Sequence, residues 1–294
     1  MSILFATFFM KINRISTDNQ KYLKILSNIA KCPEKLYFLG KLPDDTAPTV
    51  AIVGTRKPSH YGKEVTYDVA YGLAKRGVII VSGLALGIDA IAHQAALDAG
   101  GITIAVLASG LDDISPKTNY NLAQKIISSG GAIISEYPPG KKALAHQFLE
   151  RNRIVSGLSD LILVTEAAIK SGTFSTVSHG LDQGKDISAI PGNITSPMSS
   201  GCNNLIKQGA HLVRSATDVL ELLGLENESY QKSLPLGSNE LETKIIKILD
   251  SGIRDGEIIR NTLDIPVEQF QSTMTMMEIN EIVQSLGGDK WKIK

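Results

Sequence analysis

Residues 50–62, VAIVGTRKPSHYG, and 78–100, VIIVSGLALGIDAIAHQAALDAG, decide the fold. Each opens on a short continuous apolar run, passes through glycine, and continues with helical spacing. That is the strand, turn, helix grammar of a parallel sheet, whose strands are buried on both faces. In such a sheet ligands meet the edge where strands end and helices begin, because helix N-termini direct unpaired N–H groups and positive dipole ends outward. The first turn adds Thr55, Arg56, Lys57 and Ser59 to Gly54, hydroxyls and fixed cations where an anion would sit. The pattern points to a phosphate-bearing ligand.

Outward from this stretch the alternation continues. Strands are expected at Val50–Val53, Val78–Ser82, Thr103–Leu107, Ala132–Ser135, Leu161–Thr165, Ile187–Ile190 and His211–Val213. Helical patterns such as Gly62–Lys75, Asp89–Asp98, Asn119–Ser129, Thr173–Gln183 and Cys202–Gln208 lie between them. Strands so connected predict an α/β fold with a doubly wound, mostly parallel sheet over residues 49–224. Residues 1–48 read as a short lead-in, with KINRI a candidate edge strand, QKYLKILSNIAK a helical pattern, and LYFLG leading into the loop LPDDTAP. Residues 225–239, LENESYQKSLPLGSN, are polar with Pro and Gly and read as a linker. Three helical segments and two short strands around Gly-Gly-Asp follow in residues 240–294, the outline of a small winged-helix domain.

Composition narrows the classes. Lys and Arg total 30 and Asp and Glu total 30, so no overall positive field holds nucleic acid, and any polyanion site must be a local patch. Cys32 and Cys202 have neither CxxC nor Cys/His metal spacing, which fits a reducing compartment and two small apolar side chains. The opening MSILFATFF lacks a basic leader and a cleavage pattern and is not read as a signal peptide; Met10 is an equally good start. No run reaches the length of a membrane span, so a cytoplasmic protein is expected.

Neither GxGxxG nor GxxxxGK[ST] occurs at any strand-to-helix turn, which argues against NAD or ATP, and no cofactor or metal is expected. Instead, small or basic residues recur at strand ends: Gly54-Thr55-Arg56, Ser82-Gly83, Ser109-Gly110, Glu136-Tyr137, Glu166 with Lys170-Ser171-Gly172-Thr173, and Pro191-Gly192. Lys117, Lys141, Lys142, Arg151, Asn152 and Arg153 sit beside them, enough cations to follow a phosphate backbone. The glycines Gly54, Gly83 and Gly87 serve anion binding or close packing equally well on this evidence. Arg56 has no obvious core role. Glu166 suits two roles, orienting neighbouring cations or binding a ribose hydroxyl, while Arg151 and Arg153 read equally as surface cations. Asp89 and His93, four apart on one helix face, favour a structural pair over a metal site, and no catalytic triad has workable spacing.

IVGTRKPSHYG, VSGLALGIDAIAH, TIAVLASGLDD, ISEYPPG, FLERNRIVSGLSD, VTEAAIKSGT, AIPGN and SGCNNLIKQGAHLV, in this order, resemble the motifs of the DNA-processing protein A family, DprA or Smf, over residues 36–223. The last fifty-odd residues resemble the winged-helix tail of many members. The resemblance implies a Rossmann-like core that binds single-stranded DNA without catalysing a reaction, dimerises, and hands the strand to the RecA recombinase during natural transformation. It carries the family's phosphate-binding arginine to Arg56 and its further basic positions to Lys117, Lys141 or Lys142, Arg151-Asn152-Arg153 and Lys170.

The chain departs from the family pattern at Ser115-Pro116, where Tyr-Pro is usual, at Leu149 after Phe148, and at Lys185. Losing that tyrosine removes a base-stacking surface, leaving Tyr120, Tyr137 and Phe174 as weaker substitutes. In the tail, Val267–Asn280, VEQFQSTMTMMEIN, holds no Lys or Arg and carries Glu268 and Glu278, so this helix is expected to meet protein, or the core itself, and not duplex DNA. Lys290, Lys292 and Lys294 are the wing cations. Of Met274, Met276 and Met277, at least one is expected in the core. Two rival readings are a phosphoribohydrolase-like enzyme, with Arg56 and Glu166 holding a nucleoside monophosphate, and a nucleotide sensor.

Overall fold

The computed structural model describes residues 12–43, 47–225, 239–280 and 282–293. MSILFATFF, Met10, Lys294 and nearly all of the expected linker lie outside them. The chain divides into two units, Met1–Glu226 and Asn227–Lys294.

One sheet organises the first unit. Its strands are β1 (Asn13–Ser16), β2 (Lys35–Gly40), β3 (Thr49–Val53), β4 (Ile79–Ser82), β5 (Thr103–Leu107), β6 (Ala132–Ser135), β7 (Leu161–Val164), β8 (Asp186–Ala189) and β9 (His211–Leu212). They lie in the order β1-β2-β6-β5-β4-β3-β7-β8-β9. From β6 to β9 all neighbours are parallel. The chain steps outward from β3 through β4, β5 and β6, then returns to lay β7 on the other side of β3. That reversal opens a crevice at the C-terminal ends of β3 and β7.

Alternation along β3 shows how the sheet is covered. Ala51 and Val53 face a core built with Ile154 and Val155 of α4 (Ala145–Gly157), Val177 of α5 (Thr173–Asp182) and Leu205 of α6 (Ser200–Lys207). Val50 and Ile52 face the opposite core, with Leu73 of α1 (His60–Ala74), Ala92 of α2 (Ile88–Asp98) and Val219 of α7 (Ala216–Leu222). Further along that second face, Ala123 and Ile126 of α3 (Tyr120–Ser128) cover Ala105 and Ile133. The fold is therefore α/β, Rossmann-like and doubly wound.

The sheet begins earlier than residue 49. β2 pairs antiparallel with β6, placing Leu39 opposite Ile133, and β1 pairs with β2 at the edge. Burial of Leu36 and Leu39 draws LYFLG into the sheet where only a lead-in was expected. Residues Lys21–Asn28 wind as a 3-10 helix, with Leu23 and Leu26 in the core. Cys202 is buried, Cys32 is half-buried, and both are free thiols.

The second unit has α8 (Glu240–Asp250), α9 (Gly256–Leu263), α10 (Val267–Ile279) and the antiparallel pair β10 (Val283–Gly287) and β11 (Lys290–Ile293). Asn239 and Asp255 cap α8 and α9 by accepting backbone N–H bonds, from Glu242 N and from Glu257 N and Ile258 N. Trp291 N donates to Arg254 O and Gly256 N to Asp289 O, both at 2.8 Å, tying the hairpin to the start of α9. Ile245, Ile259, Phe270, Met274 and Met277 form its core, and Met276 is exposed.

Candidate functional site

The turns that follow β3, β4 and β7 surround a cleft of about 620 Å³, with one wall supplied by α4. The first turn is held from behind. Thr55 N donates to Glu166 O at 2.8 Å, and Ile88 N donates to Thr55 O at 3.2 Å. A Cβ on Gly54 would lie 2.7 Å from both Glu166 O and Ile88 Cγ1. Gly87, at φ +80°, leaves room for Thr55 O and the Arg56 backbone. Both glycines thus permit two turns to touch, the close-packing role. Arg56 and Lys57 are left exposed on the rim. The Arg56 guanidinium carbon sits 5.3 Å from the centroid of the half-buried Phe148 ring, a cation–π distance.

Ser59 caps α1, its Oγ accepting from Gly62 N at 3.1 Å and donating to Glu166 Oε1 at 2.6 Å, while Ser59 N donates to Glu166 Oε2 at 2.8 Å. Glu166 is buried and spends both oxygens on this cap. It lies with Ser59, Tyr61, Asn193, Ser196 and Ser199 on a second depression, apart from the cleft that Arg56 lines.

Arg151 forms part of the cleft floor and is only 4% exposed. Its Nη1 donates to Gly83 O at 2.6 Å and also to Val106 O. Burial pushes its pKa down to about 10, with nearby Arg56 adding to the fall and Asp89 opposing it. Asp89 Oδ2 accepts from Gly83 N at 3.1 Å and Ala85 N at 3.3 Å. Burial holds its carboxyl above the usual carboxylate range, against the pull of Arg151 and those N–H groups. His93 lies deeper still: its Nδ1 is 2.6 Å from Thr103 Oγ1, which donates to Ile80 O at 2.7 Å. Nδ1 therefore carries the proton, and burial pushes the pKa down to about 3. Asp89 and His93 are structural, as expected, but each bonds a different neighbour.

Of the expected residues, the cleft gathers Gly54, Thr55, Arg56, Lys57, Gly83, Arg151, Asn152, Lys170, Ser171, Gly172 and Thr173. The others lie elsewhere. Ser59 serves the second depression. Ser82 is buried, donating to Ile52 O at 2.6 Å. Lys117 lines a third depression with Asp112, Asp113 and Tyr120. Lys141 and Lys142 are exposed on the loop whose Lys141 O accepts from Gly110 N. Arg153 is 8% exposed; it pairs with Glu136 and donates to Lys31 O and Glu150 O. Residues two apart on a helix point to opposite sides, so the RNR motif cannot turn both arginines to one surface.

Phe148 is the aromatic residue in the cleft, and it was not among the expected stacking residues. Tyr120 is on the third depression, the Tyr137 hydroxyl donates to Glu150, and Phe174 packs on the core. The signal was present in spacing: Phe148, Arg151 and Val155 fall at i, i+3 and i+7 of a helix.

Residues 13–224 match the DNA recombination-mediator protein A family. Protein Smf of Escherichia coli is 43% identical over 209 residues, covering 71% of this chain and 56% of that protein. The DNA processing protein DprA of Streptococcus pneumoniae is 42% identical over 212 residues, covering 72% of this chain and 74% of that one. Its X-ray structure superposes with a TM-score of 0.67, at 41% identity over 72% of this chain and 75% of that chain. The DprA of Helicobacter pylori, in a structure that addresses its single-stranded DNA binding mode, gives a TM-score of 0.65 at 32% identity, over 74% of this chain and 97% of that chain. The chain spans about half the length of the relatives from Escherichia coli and Mycobacterium tuberculosis, 56% and 50% respectively. Among the described residues no helix is long and apolar enough to cross a membrane.

Proposed function

Because the chain belongs to the DNA recombination-mediator protein A family, we propose that it binds single-stranded DNA along the cleft at the ends of β3, β4 and β7. It protects the strand and loads the RecA recombinase on it in natural transformation or recombination. It acts in the cytoplasm as a homodimer and catalyses no reaction. The second unit is a winged helix that meets protein.

One observation carries this reading. Arg56 and Lys57 from the turn after β3 and Lys170 from the turn after β7 rim one open cleft beside an aromatic ring, more cationic surface than a single phosphate can use. Exposed Lys117, Lys141 and Lys142 on neighbouring loops extend the path for a backbone. Asn152 supplies an amide at the cleft, and Ser171, Gly172 and Thr173 supply hydroxyls and backbone at the start of α5. The mononucleotide reading is weaker: it needs Arg56 and Glu166 on one ligand, and Glu166 has both oxygens on Ser59.

The test is fluorescence anisotropy of labelled oligo-dT at several lengths and salt concentrations, for wild type and Arg56→Ala, with AMP as competitor. Binding that tightens with length, weakens with salt, fails in the variant and ignores AMP is the expected result. Salt-insensitive or absent strand binding, with AMP bound or hydrolysed, would overturn it.

A further inference from the structure

We propose that Asp89 and Arg151 are positioning residues that lock the turn Gly83–Ala85 and through it place Arg56, and that Arg151 takes no phosphate itself. This rests on the single-stranded DNA reading of the cleft.

Every backbone group that matters in this turn is gripped by a side chain from another element. Asp89, in the first turn of α2, accepts from Gly83 N and Ala85 N. Arg151, on α4, donates to Gly83 O and to Val106 O at the neighbouring strand end. Asn119, just before α3, donates through Nδ2 to Leu84 O at 2.9 Å and Ala85 O at 3.1 Å. Between these grips Leu84 is held at φ 56°, a left-handed conformation that a residue with a branched side chain rarely adopts. Such a conformation persists only where the surroundings over-determine it, and here three elements do so.

Gly83 shows how tightly the guanidinium is seated. A Cβ there would lie 2.5 Å from Arg151 Nη2 and 2.6 Å from Cζ. Turning Arg151 toward a phosphate would leave Gly83 O and Val106 O buried without a donor, the costly half of any hydrogen-bond exchange. The turn in contrast transmits position. It runs into Gly87 and Ile88, whose backbone packs on Thr55 O and Arg56. Asp89 meanwhile offsets the buried charge of Arg151, leaving the exposed Arg56 as the cation presented to the strand.

The experiment uses the full chain and oligo-dT anisotropy across salt concentrations, with Arg151→Lys, Asp89→Asn and their double variant. Arg151→Lys keeps a point charge and loses the planar fork, so a phosphate contact would survive it and the lock would not. The expected result is about tenfold weaker binding in each single variant, with the salt slope shallower by at most the one phosphate contact of Arg56, and a double variant no worse than the weaker single. Val219→Ala, in the core at α7, should lower thermal stability and leave affinity unchanged, which separates positioning from general destabilisation. Wild-type affinity in Arg151→Lys, or tighter binding in Asp89→Asn, would overturn the inference. A measurement on the unaltered protein stands independent of variant folding. In NMR spectra of guanidinium Nε–H groups, oligo-dT should shift the Arg56 signal more than that of Arg151, whose Nε–H is held on Asn152 Oδ1 at 3.3 Å; an equal or larger shift at Arg151 would overturn the inference. If the wild type shows no salt-sensitive strand binding at all, it is the functional reading that falls.

Discussion

The turn after β3 and the helix α10 are two surfaces of the kind that nucleic acids meet, and they are built from opposite materials. The turn is backbone and cations: Gly54 brings the chain close to its neighbours, Ile88 N and Glu166 O pin it, and Arg56 and Lys57 stand exposed. Helix α10 buries Phe270, Met274 and Met277, carries Glu268 in its first turn, and has no Lys or Arg. Helical position alone does not make a DNA-reading surface; phosphate must be neutralised by something. A turn fixed from behind can do this with few residues because its side chains have no packing task.

Among substitutions that leave every cation in place, Phe148→Ala has the largest expected effect on binding. Base–aromatic stacking contributes about 1–3 kcal/mol per base, so oligo-dT affinity should fall by roughly tenfold or more in anisotropy titrations, with the salt slope retained. Unchanged affinity would remove the ring from the comparison and leave the cations to act alone.

Gly83→Ala tests the packing behind the turns. Its Cβ would press on the Arg151 guanidinium, which is fixed by two carbonyls, so denaturant unfolding should show a loss of about 1–3 kcal/mol. Wild-type stability would mean that the seat relaxes freely.

Acid should act on the first unit through His93, whereas residues 227–294 contain no histidine. His93 has a folded pKa of about 3 against 6.5 when free, so below 6.5 the unfolded chain binds a proton that the folded chain refuses. Stability is therefore lost as pH falls from 6.5 toward about 3, by at most roughly 1.4 kcal/mol per pH unit from this group. Asp89, raised by burial, titrates with the opposite sign. Ring-proton NMR shifts isolate the imidazole: they should stay at neutral values at about pH 5, and a midpoint near the free value would contradict the burial.

The smallest effect belongs to α10. Glu268→Gln with Met276→Ala, both on its exposed side, should leave oligo-dT affinity within about twofold, because neither removes a cation. A loss comparable to that of Phe148→Ala would bring α10 into the DNA path and erase the contrast.

Much of this was legible in the residues. Short apolar runs rich in β-branched residues, such as Val50–Val53 before Gly54, read as strands buried on both faces, and the helical spacing between them reads as the crossovers of a parallel sheet. Two parts were not. LYFLG shows no clean alternation, and it becomes a strand only through pairing, with β1 on one side and, on the other, with β6 nearly a hundred residues away. The arginines of RNR look equivalent until α4 is recognised as a helix, which sends Arg151 to the cleft floor and Arg153 to Glu136.

The sequence by itself determined the parallel sheet, the cationic first turn and the family, since all three are written in local periodicity and in motifs met along the chain. Only the tertiary structure decided which cations share a surface and which are consumed as struts. That choice depends on carbonyls and carboxylates from distant elements, Val106 O, Gly83 O and Glu136, which compete with any ligand for the same guanidinium.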